Sequence, residues 1–286
     1  MKAHPGVAAG LFCLAALAWL ASAAPASAAV SCHYSPPNRL LEVTATDVFT
    51  RVVRVGDAIE IDDGQQLAKC TGPTPTVLDS DRVQITHTGR SADTVDLGGG
   101  PLAPGATPEP QGIPEIELEY VGPTFLHVRG TSAPDRLSFG PGGVNLNADD
   151  DTDVTGQFST LLLEGRGGED VISPQADYAA AAGRRVLLGG GGRDTLTATP
   201  DGAFLHGGNG RDRLIGGARA DNLTGGRGRD LIRGGKGRDL VRAIDDFRDR
   251  VSCGPGFDRA KVDGIDRVRG CERLIAVKRR GPVRKG

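Results

Sequence analysis

Gly-Gly-Asn-Gly-Arg-Asp-Arg-Leu-Ile (207–215), Gly-Gly-Ala-Arg-Ala-Asp-Asn-Leu-Thr (216–224), Gly-Gly-Arg-Gly-Arg-Asp-Leu-Ile-Arg (225–233) and Gly-Gly-Lys-Gly-Arg-Asp-Leu-Val-Arg (234–242) follow one another without a break. The period is nine. In the same register 189–197 reads Gly-Gly-Gly-Gly-Arg-Asp-Thr-Leu-Thr, 198–206 has Ala203 where aspartate is due but keeps Leu205, and 180–188 keeps only Leu187. The apolar series is therefore Leu187, Leu196, Leu205, Leu214, Leu223, Ile232 and Val241. Each unit divides into a six-residue turn and a three-residue strand whose eighth-place side chain points inward between two outward neighbours. Glycines at the first, second and fourth places are expected to supply positive φ. A helix is excluded, because each glycine in a helix interior costs about 1 kcal/mol against alanine. One short strand cannot bury its own side chain, so successive units must stack. The fold class is all-β, a solenoid of coils.

The pattern G-G-x-G-x-D-x-U-x resembles the RTX, or haemolysin-type, calcium-binding repeat. The resemblance implies a right-handed parallel β-roll, two nonapeptides to a coil, with calcium held between stacked turns by backbone carbonyls and sixth-place aspartates. Same-side turns would be two units apart, giving one column of Asp194, Asp212 and Asp230 and another of Ala203, Asp221 and Asp239. Three sites follow: Asp194 with Asp212, Asp212 with Asp230, and Asp221 with Asp239. Their carbonyls would come from around Gly190, Gly192, Gly208, Gly210, Gly226, Gly228, Gly235 and Gly237. All-oxygen coordination suits Ca2+ rather than zinc or copper. Arg219 replaces the fourth-place glycine of its unit and weakens the case for the Asp221 site. Arg193, Arg211, Arg229 and Arg238 fill the fifth place, where the family usually has Asn or Asp, so Arg–Asp pairing without metal is the competing arrangement. Degenerate units fall around Asp170 (165–173), Asp135 (130–138) and Asp93 (88–96).

Outside the repeats, residues 1–28 read as a signal peptide: Lys2 and His4, an apolar run from Val7 to Leu20, then small residues ending in an Ala-x-Ala pattern. No second apolar segment follows, so the expected product is secreted, monomeric and without a membrane span. Cys32, Cys70, Cys253 and Cys271 remain, an even count that reads as two disulfides in an exported chain. Of the three pairings, the wide gap between the couples favours Cys32–Cys70 and Cys253–Cys271. No two cysteines lie close enough for a zinc knuckle. Residues 29–80, with alternating segments around Leu41, Val53 and Ile59, are expected to form a small β cap, and 81–179 an irregular solenoid with a Pro/Gly-rich loop at 101–114. Residues 180–242 form the regular roll and 243–277 a C-terminal cap, its clipped end resembling that of actinobacterial calcium-repeat proteins. Residues 278–286 are a basic tail. The cluster Asp149–Asp153 reads as a solvated acidic turn.

With 34 basic and 36 acidic residues the formal charge is −2, which implies no general affinity for nucleic acid. No H-E-x-x-H, G-x-S-x-G or P-loop motif is present. A calcium-stabilised structural or adhesive module needs nothing beyond the repeats. A carbohydrate-active enzyme on a β-solenoid is the alternative, but it would need aromatic platforms, and aromatics are 4% of the chain. A third class is a module that binds a cell-wall polymer or a surface protein through its arginine-studded face.

Overall fold

In the computed structural model the described residues span 29–277, with stretches 47–49, 56, 63–66, 69, 77–79, 89–90, 98–116, 122–123, 141, 147–151 and 176–182 left out. The signal-peptide reading, the 101–114 loop, most of the Asp149–Asp153 cluster and the basic tail therefore lie outside them. Among the described residues the helical content is one three-residue 3-10 turn, Pro36–Asn38, and no helix is long and apolar enough to cross a membrane. The rest is a two-sheet solenoid, 14 strands in one sheet and 11 in the other.

The coil is two nonapeptides long. Leu196 pairs in parallel with Leu214, and Leu214 with Ile232, along the first sheet. Leu187, Leu205, Leu223 and Val241 pair in turn along the second. None of these seven is more than 2% exposed. Both faces of the core are thus lined by one apolar side chain per coil per sheet, and a single hydrophobic cluster runs from Cys32 to Val262. The two sheets differ in one respect that the repeat does not show. First-sheet strands are three residues long (Thr195–Thr197, Arg213–Ile215, Leu231–Arg233). Those of the second sheet (Arg184–Gly192, Phe204–Gly210, Asn222–Gly228) continue into the glycines of the following turn. There Gly190 pairs with Gly208 and Gly208 with Gly226, so the backbone ladder persists through the turn.

Upstream, strands Arg82–Thr88 and Glu117–Val121 extend the first sheet in parallel, and Ser91–Asp96, Thr124–Arg129 and Phe158–Gly167 extend the second. Antiparallel strands close the N-terminal end: Ala29–Ser35 against Leu40–Thr46, and Ala58–Asp62 against Thr50–Val55. Both expected disulfides are formed, Cys32–Cys70 and Cys253–Cys271. The disulfide-clipped C-terminal segment is itself built of coils. Strands Arg250–Ser252 and Arg267–Arg269 continue the first sheet, and Arg259–Asp263 and Arg273–Val277 the second. The nine-residue register shifts because one coil holds an extra residue, which moves the spacing from 18 to 19.

The glycines divide by role, which corrects the expectation of three positive-φ places. Second- and fourth-place glycines such as Gly208 and Gly210 have φ of 109° and 142°. First-place Gly207 does not have positive φ; a methyl there would lie 2.5 Å from both the Asp212 Oδ2 and the Gly225 carbonyl oxygen. First-place glycine is required for space. The third place is free: Gly191, Asn209 and Arg227 occupy it in successive coils.

A pair of substitutions reads this division. Gly210→Ala drives a β-carbon into the Gly192 carbonyl at positive φ and should cost more than about 2 kcal/mol. Gly191→Ala, whose β-carbon meets nothing nearer than 3.8 Å, should be neutral or stabilise by up to about 1 kcal/mol. Urea denaturation of both variants checks the contrast. The Cys253–Cys271 bond closes a loop of separation 18, worth about 3 kcal/mol through the unfolded chain. Replacing both cysteines by serine should raise amide exchange chiefly beyond Val241.

Candidate metal centre

Each sixth-place aspartate is buried beneath its turn, and its carboxylate reaches back one coil. Asp212 Oδ1 accepts the backbone N–H of Asp194 at 2.9 Å, Asp230 Oδ1 that of Asp212 at 2.9 Å, and Asp249 Oδ1 that of Asp230 at 2.8 Å. In the other column Asp221 Oδ1 accepts from Ala203, Asp239 Oδ1 from Asp221, and Asp258 Oδ1 from Asp239. The residues expected to stack do stack, in the expected columns. They meet as carboxylate to backbone amide rather than as carboxylate facing carboxylate across an ion.

That bond uses one oxygen of each carboxylate. The other, Oδ2, is buried without a hydrogen-bond partner at Asp170, Asp194, Asp212, Asp230, Asp239, Asp249 and Asp258. The Oδ2 of Asp194 and the carbonyl oxygen of Gly207 converge beside Gly189, and those of Asp212 and Gly225 beside Gly207. The same happens with Asp239 and the Cys253 carbonyl beside Gly234. Two acceptors pointed at one small space, with no protein donor between them, suit a cation, a proton or a water there. The carbonyls that meet the carboxylates are thus first-place carbonyls of the next coil. Those of Gly190, Gly192, Gly208 and Gly210 instead point at the matching glycine one coil on, as do those of Gly217 and Gly235, while the Gly237 carbonyl points at Gly256. Gly226 and Gly228, at the top of their column, extend the same glycine ladder.

Two aspartates depart from the pattern. Asp221 Oδ2 accepts the Gly217 N–H at 2.6 Å, and Asp135 Oδ2 that of Thr131 at 2.8 Å. In the Asp221 turn the fourth place is Arg219. It stands where other turns use a left-handed glycine, and Gly217 does not have the positive φ of its counterparts. The turn takes another path and closes on its own carboxylate. Both oxygens of Asp221 accept backbone N–H groups, while Asp239 keeps a free oxygen.

Arg–Asp pairing is absent: among the described residues no ion pair links Arg193, Arg211, Arg229 or Arg238 to a repeat aspartate. Those arginines are exposed, and Arg238 lies 5.9 Å from the centroid of the Phe257 ring of the next coil. Asp93 corrects another expectation. It sits inside strand Ser91–Asp96, accepts a hydrogen bond from the Thr50 hydroxyl and lies 2.9 Å from His87 Nε2, away from the turns. Asp249 and Asp258 went unassigned from sequence. Cys253-Gly-Pro-Gly-Phe-Asp258-Arg-Ala-Lys261 is a repeat with cysteine in the first place, and that signal was available. Asp249 sits in a turn without the glycines and left no such trace.

Burial is the main reason these carboxyls hold protons tightly, with neighbouring aspartates adding to it. Asp170 and Asp212 are pushed up to about 7, Asp230 to about 6 and Asp249 to about 8, and Asp194 and Asp239 are raised. Among the described residues no three His, Cys, Asp or Glu side chains gather to hold a metal. The donor set at the Asp194, Asp212 and Asp239 turns is one carboxylate oxygen and one backbone carbonyl, all-oxygen chemistry that fits a hard cation and not zinc.

Residues 206–241 match the family model of the RTX calcium-binding nonapeptide repeat, in four copies. The chain carries haemolysin-type calcium-binding repeats, and RTX nonapeptide repeats bind calcium ions. No curated protein and no solved structure matches the chain.

The raised carboxyls fix the pH response of the calcium-free chain. The unfolded aspartates release their protons near pH 4, whereas the folded ones hold them to about 8 at Asp249. The folded state therefore binds more protons, and stability should fall as pH rises through that interval and level off above it. Saturating calcium should abolish the fall, because the ion replaces the proton. Melting temperatures in EDTA and in Ca2+ from about pH 5 to about pH 8 check both limbs; a flat EDTA profile would be the contrary result.

Proposed function

We propose that this chain is an exported, non-catalytic solenoid whose coils calcium ties together, with a structural or surface-binding role. The observation that carries the reading is the file of buried Oδ2 atoms without a hydrogen-bond partner, those of Asp170, Asp194, Asp212 and Asp239 also lying beside a carbonyl oxygen of the next coil. The ligands we assign are Asp194, Asp212, Asp230 and Asp239 from the regular repeat, with Asp170, Asp249 and Asp258 extending the files at either end. Asp221 is omitted, since both its oxygens are taken. The ion's chemistry is electrostatic: it neutralises a carboxylate that folding has removed from water and draws the next coil's carbonyl to it. The chain's own residues supply alignment, because the Oδ1–amide bond fixes each carboxylate before an ion arrives. Binding to the folded state alone raises its stability. Cysteine pairs and the export-type N-terminus agree with an oxidising, calcium-rich exterior.

Asp212→Asn keeps an acceptor for the Asp194 amide and removes the charge. It should lower the calcium stoichiometry in titration calorimetry, whereas Asp221→Asn should leave it unchanged. Equal losses from the two would refute the assignment by free oxygen.

A further inference from the structure

We infer that the arginine cleft on the first-sheet side of the C-terminal coils binds a linear phosphate polymer that carries no bases. The cleft has a volume of about 300 Å³, and Arg211, Arg229, Arg248, Arg250 and Arg267 line it. All five are exposed, and none forms an ion pair among the described residues. The acids that would neutralise them are engaged with the backbone. Asp245 accepts the N–H groups of Gly228 and Phe247, and Asp266 those of Asp249 and Asp263. Asp230 and Asp249 are buried beneath the turns. The near-neutral formal charge thus conceals a strongly basic face, because many of the acids are inside and the arginines outside.

The arrangement is periodic. Arg211, Arg229 and Arg248 each precede the ladder aspartate of successive turns, and Arg250 pairs in register with Arg267 on adjacent strands. One coil advances about 4.8 Å, the strand spacing. Two files of guanidinium groups therefore run along the solenoid axis and face a common cleft. A tetrahedral phosphate offers oxygens to a fork on either side, and arginine rather than lysine suits that bidentate contact. A nucleic-acid strand fits poorly, since its bases need aromatic platforms and no aromatic side chain lines the cleft. The occupant is a flexible, extended inorganic polyphosphate chain lying across the coils. This gives chemistry to the surface-binding role proposed above without depending on calcium: calcium titration reads that proposal, and polymer titration reads this one.

The test is fluorescence anisotropy of the full chain, in calcium, against labelled long-chain inorganic polyphosphate, with single-stranded DNA and heparin of matched charge as comparators. Polyphosphate should bind tightest, and binding should weaken steeply with added salt. Arg211→Gln/Arg229→Gln/Arg248→Gln should weaken it at least tenfold at unchanged melting temperature. The Arg250→Gln/Arg267→Gln pair should do likewise and serves if the triple variant fails to fold. Arg242→Gln/Lys261→Gln, on the second sheet, should have no effect. Wild-type affinity in the folded cleft variants, or DNA or heparin binding as tightly as polyphosphate, would overturn the proposal.

Discussion

The hydrogen bond from the backbone amide of one sixth-place residue to the carboxylate of the next coil's aspartate is the contact on which the roll depends. A buried amide needs an acceptor, and every turn of the regular region draws its acceptor from the coil that follows. The bond holds the turns in register, and the short strands then meet with their apolar eighth places aligned. It also accounts for the first-place glycine of the regular turns, where a β-carbon would lie against the carboxylate, although the Asp258 turn accommodates Cys253 at that place.

The same bond creates an electrostatic difficulty. Pulling the carboxylate under the turn removes it from water, and satisfying one oxygen leaves the other facing a carbonyl. Protonation is the remedy at low pH, and under the proposed function a divalent cation is the remedy above it. The repeat therefore couples packing to a cation through a single residue type, and the arginines left outside are free of those aspartates to face solvent.

Much of this was legible in the sequence. The nine-residue period, the inward series from Leu187 to Val241 and both disulfides follow from spacing and chemistry that one line of residues displays, and the two-unit coil from the resemblance to the RTX repeat. The departures had physical causes that spacing does not encode. Which oxygen binds the amide is set by the third dimension, so carboxylates were expected to face each other across an ion when each in fact grips a backbone. Asp93 matched a degenerate unit by position while its surroundings, Thr50 and His87, come from other strands. Asp249 was missed because its turn keeps the geometry without the glycines. Asp258 follows a first-place cysteine, which reads as a disulfide half rather than as the start of a repeat.

The Oδ1–amide bonds all point one way. Each coil borrows its acceptor from its C-terminal neighbour and lends one to its N-terminal neighbour, so the solenoid has a polarity, like a strip of tape with adhesive on one edge. Its last coils need an acceptor that no further repeat can lend. Asp266 provides it for the Asp249 amide and Glu272 for the Asp258 amide, both beyond the last recognisable repeat and the latter next to the clipped Cys271. A chain emerging N-terminus first thus carries a series of incomplete coils, each waiting on the one behind it, until the final segment arrives to finish the stack from its far end.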